Sequence, residues 1–173
     1  MLAHQYFRLM TEDPEKQWQH SDSIDIVVEP EVLYDMVTNL QHIREWSPIC
    51  RGGEWKDGGT GKVGDVFTGR NVVGDVEWTT ISEVLVADYP RELAWLVAPD
   101  LGGVARWSYI VEPTDNGSRL TETWHVLPTG REWLRQNKGE DAPAQRRETA
   151  RRDIPKTLAA IKRIAEDEAA NGC

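Results

Sequence analysis

The spacing of apolar positions changes period along the chain. Ile24, Ile26 and Val28 alternate with Asp25, Val27 and Glu29, the period-two pattern of a half-buried strand. Pro30 closes that strand and opens a helix at its first turn, where a missing N–H is harmless. Across PEVLYDMVTN, Val32, Leu33, Met36, Val37 and Leu40 form one broad stripe. LQHIREW reads as a second short helix. From residue 50 to residue 127 the period is two. A short strand is predicted around Glu54–Lys56, followed by strands in VGDVFTGRN, VGDVEWTTISEVLVADYP, RELAWLVAP, VARWSYIVEP and GSRLTETWHVLP. Tyr89-Pro90, Gly102-Gly103 and Asp115-Asn116-Gly117 mark turns.

Strand parity predicts which side chains share a face. Val63, Phe67 and Asn71 fall together, as do Val76, Trp78, Val84 and Val86. Leu93, Trp95 and Val97 form another set, then Ala105, Trp107, Tyr109 and Val111, then Leu120, Glu122, Trp124 and Val126. Residues 129–142 read as an excursion, with a helical turn in REWLRQN and a loop in NKGEDAP. A long helix follows over 143–170, its stripe made by Ile154, Leu158, Ile161, Ile164 and Ala165. Pro155 either kinks it or starts its second half.

This order predicts one α+β domain over residues 22–170, a curved antiparallel sheet of about seven strands around a long C-terminal helix. Residues 1–21 are polar and interrupted by Pro14, and read as an N-terminal extension with a short helix near Tyr6–Met10. An open sheet twists and curls. Curling around a single helix leaves an apolar, ligand-sized space between the two.

Charge narrows the partners. A net charge of -9 over 173 residues repels phosphate backbones and anionic headgroups, which argues against nucleic acid. No run of eighteen apolar residues occurs, so no membrane insertion is expected. The first residues lack the basic and apolar regions of a signal peptide. Cys50 and Cys173 form no metal or redox motif, and a reducing cytoplasm fits them. Monomer and homodimer both remain open. Eight Trp against two Phe is the unusual entry in the composition. Such rings fill a core, or build pocket walls that need wide, rigid faces with one polar edge.

EWSPICRGGEW, VGDVFTGRNVVGDVEWTTISEV and GSRLTETW, in this order, resemble the SRPBCC superfamily, also called START-like or birch-pollen-allergen-like. Within it they are most similar to the polyketide cyclase/dehydrase-like group of actinobacteria. The likeness spans roughly residues 22–128, and the 143–170 helix stands where the family's gripping helix belongs. The resemblance implies a helix-grip fold with a cavity between sheet and helix, its mouth near the short second helix. The superfamily holds lipid carriers, receptors, co-chaperone domains, aromatases and cyclases, and a fold does not choose among them.

Glu122 shares parity with Leu120, Trp124 and Val126, so its carboxyl is expected to point among apolar groups. There it either raises its pKa, as suits a general acid or base, or pairs with arginine, Arg106 or Arg70 being the candidates. Arg106 is also a candidate ligand contact. Asn71, beside the space left by Gly69, is a candidate donor to a ligand carbonyl; its other reading is a turn residue before Val72–Gly74. The Tyr109 hydroxyl is a third candidate catalytic group. Trp46, Phe67, Trp78, Trp95, Trp107 and Trp124 are candidate ligand contacts. Trp46 is either a gate at the mouth or a core residue before the helix-stopping Pro48.

Other signals carry less. His125 falls on the face opposite Trp124, and no two histidines are spaced as metal ligands. Cys50 has no base identifiable in sequence. GGTGKVG lacks the spacing of a phosphate loop. RRETARR reads as a solvated helix face. Three functions follow: a cofactor-independent cyclase, aromatase or dehydratase; a carrier of a hydrophobic small molecule such as a polyketide, aromatic metabolite or lipid; and a co-chaperone-like interaction module. Only the last predicts an exposed apolar patch rather than a deep cavity.

Overall fold

A computed structural model describes residues 13–171. The helix expected near Tyr6–Met10 lies outside the described residues. Seven strands form one sheet: β1 (Gln19–Ile26), β2 (Cys50–Trp55), β3 (Val66–Val73), β4 (Val76–Asp88), β5 (Glu92–Val97), β6 (Ala105–Thr114) and β7 (Gly117–Val126). Their spatial order is β1-β7-β6-β5-β4-β3-β2, and every neighbouring pair is antiparallel. Hairpins join β2 through β7 in sequence, and α1 (Pro30–Val37) helps carry the chain from one sheet edge to the other. Two further helices follow, α2 (Pro128–Lys138) and α3 (Ala142–Asn171). The helix-grip architecture expected from the sequence is present.

The sheet's inner face repeats the parity of the sequence. Across one rung, Val84, Trp95, Trp107 and Trp124 stand side by side. The next rung carries Leu93, Tyr109 and Glu122. Over these rungs lies the apolar stripe of α3, where Ile154, Leu158, Ile161 and Ala165 are buried. The helix runs unbroken through Pro155, whose exposed position leaves only one backbone carbonyl without its partner. Its later turns are tied to the end of β1 and the residue after it: Lys162 Nζ donates to the Asp25 carbonyl at 2.7 Å, and Glu166 accepts from the Val27 N–H at 3.0 Å.

Several local expectations are corrected. Strand β1 starts at Gln19, inside the stretch read as an extension. As a sheet edge it keeps most of its residues exposed, so it shows little apolar alternation there. Glu15 makes a bidentate bond to Arg131 at 2.8 Å, and the Arg131 and Arg147 guanidiniums lie over the Trp18 ring, at 5.2 and 5.6 Å. The second helix is one 3-10 turn, Ile43–Glu45. Val63 precedes β3 and is exposed, as is Val76 at the start of β4. A bulge between Val84 and Val86 shifts the register of β4, so Ala87 instead of Val86 pairs with inward Leu93 and packs on the core. The excursion contains a true helix, α2, opened by Pro128 and buried through Leu134.

Helix α2 can seat closely because Gly130 rests on the Val104 backbone carbonyl, leaving no room for a Cβ. Gly130→Ala is therefore expected to lower stability by about 1–3 kcal/mol, read as a reduced urea midpoint with an unchanged m-value. A neutral result would show that α2 is free to shift.

Candidate active site

Between the sheet and α3 lies a cavity of about 190 Å³. This exceeds the roughly 150 Å³ apolar cavity that accommodates benzene in an engineered protein. The aromatic wall is continuous. Phe67 meets Trp95 edge-on at 6.3 Å, Trp95 and Trp107 stack at 6.5 Å with planes 9° apart, and Trp107 meets Trp124 at 6.4 Å. Trp78 lines the cavity as well, opposite Asn71 across the β3–β4 pair. Trp78, Trp95 and Trp107 are only half-buried, so much of their ring surface is available to a guest. The opposite side is formed by Val37, Leu40, Ile43 and the Ser47–Cys50 segment, near the expected mouth.

Polar groups interrupt this wall in few places. Glu122 is 5% exposed and lines the cavity. Its inward direction follows from register, since it pairs with Tyr109 on β6. Neither candidate arginine reaches it. Arg106 has the opposite parity and donates to Glu92 at 2.8 Å, while Arg70 forms an exposed bidentate pair with Glu77 at 2.6 and 2.7 Å. Arg106 is thus removed from the candidate ligand contacts, because it points off the other face of the sheet. Glu122 Oε2 is buried with no hydrogen-bond partner among the described residues. Burial pushes the carboxyl up to about 8; the Tyr109 hydroxyl beside it pulls the other way and only partly offsets this.

Tyr109 is itself fully enclosed. Burial, and next the nearby Glu122 carboxyl, hold its hydroxyl well above the usual phenol range, so it stays a neutral donor. Trp46 sits behind it and not at the mouth. The Trp46 ring is 3% exposed and off the cavity surface. Its Nε1 is near enough to Tyr109 to influence it, yet completes no hydrogen bond of good geometry. Of the two readings of Trp46, the core residue is the one the structure supports, and Trp46 leaves the candidate ligand contacts. Asn71 is a strand residue that lines the cavity, not part of the hairpin turn that follows. Its Nδ2 donates to the Gly69 carbonyl at 3.1 Å, which leaves the amide oxygen for a guest.

Other lining groups carried no sequence signal. Cys50 joins the wall where β2 is bulged between Cys50 and Gly53, and it pairs with Asn71; burial pushes its thiol up, which works against a nucleophilic role. Thr80 and Ser82 share the inner parity of β4. Arg146, Asp153 and Thr157 face the cavity from α3, so RRETARR is not wholly a solvated face. His125 lies off the cavity, 3.8 Å from Glu15. Among the described residues no cluster of His, Cys, Asp and Glu has the make-up of a metal site, and no helix is long and apolar enough to cross a membrane.

A single long helix over a curled antiparallel sheet, with a cavity between them, is the helix-grip arrangement. Residues 17–166 match the family described as polyketide cyclase / dehydrase and lipid transport, and the chain belongs to that family. It is similar to the polyketide cyclase-like protein Cgl2372 of Corynebacterium glutamicum, with 36% identity over 88% of this chain and 93% of that one and a TM-score of 0.67. The fold is shared with the ZhuI aromatase/cyclase of Streptomyces sp. R1128, at 16% identity over 87% and 94% of the two chains and a TM-score of 0.66. It is shared too with the di-domain aromatase/cyclase StfQ of the steffimycin biosynthetic pathway, at 16% identity, 98% of this chain, 61% of that one and a TM-score of 0.65. No curated protein matches the chain.

The raised Glu122 pKa makes stability depend on pH with a definite sign. The folded carboxyl holds its proton up to about pH 8, against an ordinary value of 4.5. The native state thus binds more protons than the unfolded chain between these values, and stability falls as pH rises through that window. Glu122→Gln is expected to match the wild type near pH 4.5 and to exceed it at pH 8.5 by a margin on the order of a few kcal/mol. Thermal unfolding at half-unit pH steps reads the difference, and a gap that stays constant with pH would contradict the assignment.

Proposed function

We propose that the chain binds a hydrophobic small molecule, a polyketide or related aromatic metabolite, and promotes its cyclisation or dehydration by acid–base chemistry. The observation that carries this reading is the lone carboxyl of Glu122, buried in an aromatic cavity without a cation and protonated near neutral pH. A carboxyl whose role was to order the sheet would have an arginine against it. In a dehydration, Glu122 protonates the departing hydroxyl, the C–O bond breaks and water leaves. The resulting carboxylate then removes the adjacent C–H proton, so the net change is loss of one water. Tyr109 donates to the ligand carbonyl and so acidifies the adjacent C–H that the carboxylate deprotonates. The Asn71 oxygen orients a ligand hydroxyl. The wall excludes water and folds the chain against flat surfaces.

A carrier without chemistry is the second reading, and one feature favours it: aromatic and aliphatic groups make most of the wall, as holding alone requires. The interaction-module reading has less support, since the fold's apolar groups converge on an interior cavity.

Native mass spectrometry of the purified protein would identify a retained molecule. With that molecule or its precursor, Glu122→Gln is expected to keep affinity within a few-fold while turnover drops by about 10²–10⁴-fold. Tyr109→Phe is expected to lower turnover by a smaller factor. Unchanged turnover in Glu122→Gln would remove the catalytic reading and leave the carrier.

A further inference from the structure

The wall contains a cation that neither catalysis by Glu122 nor apolar holding needs. Arg146, in the second turn of α3, lines the cavity. Among the described residues it forms no ion pair, although carboxylates are close. Its helix neighbours are already engaged: Arg147 bonds Glu148 at 2.9 Å, and Arg152 holds both oxygens of Asp153 at 2.7 Å, with Lys156 3.6 Å from the same carboxylate. Asp153 therefore has two cations of its own. Burial pulls the Arg146 pKa down, and Asp153 offsets part of that; a guanidinium keeps its charge at neutral pH regardless. Arg146 is half-buried, and its guanidinium faces the cavity with donors that no carboxylate occupies, which leaves its fork open to something negative.

The position of Arg146 is set by how α3 lies on the sheet. Lys162 meets β1 at Asp25 and Glu166 meets Val27 just after it, close to where β1 pairs with the start of β7. Arg147 meets Trp18, next to Gln19, which pairs with His125 near the end of β7. The first turns of α3 thus overlie the Val126 end of the cavity. Glu122 stands two rungs back along β7, about 13 Å of strand. The cavity has a protonated acid at one level and a fixed cation at another, with Trp107 and Trp124 between them.

Resting on the ligand-binding reading above, we infer that the cavity selects apolar acids, and that Arg146 binds the carboxylate of a flat, mainly hydrocarbon ligand whose other end reaches Glu122. One planar guanidinium suits one planar carboxylate, bound through two parallel N–H···O bonds. A phosphate dianion would meet the nearby Asp153 and, among the described lining residues, one cation without an ion pair, and is disfavoured.

The test uses a matched pair of probes, 2-naphthoate and 2-naphthamide, alike in shape and different in charge. Calorimetric titration of the full chain is expected to show tighter binding of the naphthoate. Arg146→Met should weaken naphthoate by about ten-fold or more and leave naphthamide within about two-fold. Arg146→Lys should restore much of the loss, because it keeps the charge without the fork. Far-ultraviolet circular dichroism and a urea titration establish that the variants fold. Equal binding of the two probes by the wild type, or equal weakening of both by Arg146→Met, would overturn the assignment of Arg146 and leave the cavity reading intact. Binding of neither probe would overturn the ligand-binding reading, and this assignment with it.

Discussion

A single helix must cover a sheet that is much wider than itself. Seven strands spaced by about 4.8 Å span nearly 30 Å, whereas a helix with its side chains is about 10–12 Å across. The stripe on α3 can dry only part of the inner face, so the sheet has to curl toward it. The bulges at Val84/Val86 and Cys50/Gly53 fall in strands on the far side of the sheet from β1, where α3 is anchored. Helices α1 and α2 add Leu33, Tyr34, Val37 and Leu134 to the buried set. What they leave is the interior volume, and the sheet side of its wall is made mostly of what the inner parity of β3 through β7 provides.

That wall explains the electrostatics. Wide indoles keep water away from Glu122, and the lack of a nearby cation leaves burial as the main influence on its proton. Tyr109 is held neutral by the same surroundings and by the acid itself. At the Val126 end the balance differs. Asp153 is compensated by Arg152 and Lys156, and the uncompensated group is Arg146. Two isolated ionisable groups, one kept protonated and one kept charged, are separated by rings with no charge at all.

Much of this was readable from alternation. The inner faces of β5, β6 and β7 follow the period-two pattern without a break, so Trp95, Trp107, Tyr109, Glu122 and Trp124 could be placed from spacing. The same parity put Arg106 outside, and its assignment as a ligand contact conflicted with that pattern. Alternation failed where geometry departs from a regular strand. The bulge at Val84/Val86 moves Ala87 inward, and edge strand β1 shows little apolar pattern until Ile24. Trp46 was ambiguous because burial behind Tyr109 and exposure at a mouth call for the same residue type. Arg146 was hidden in a run of five charges, RRETARR, of which the other four face solvent or one another; only the fold shows which one turns inward.

The parallel Trp95 and Trp107 rings carry a spectroscopic consequence. Two indoles with nearly parallel planes at a centroid distance of 6.5 Å couple their ultraviolet transitions, and any twist between those transitions converts the coupling into a signed couplet in circular dichroism. Since both rings line the cavity, a guest that slides along or displaces either one alters the couplet without any label. The wall is in this sense its own optical gauge, reporting occupancy from the side where binding occurs.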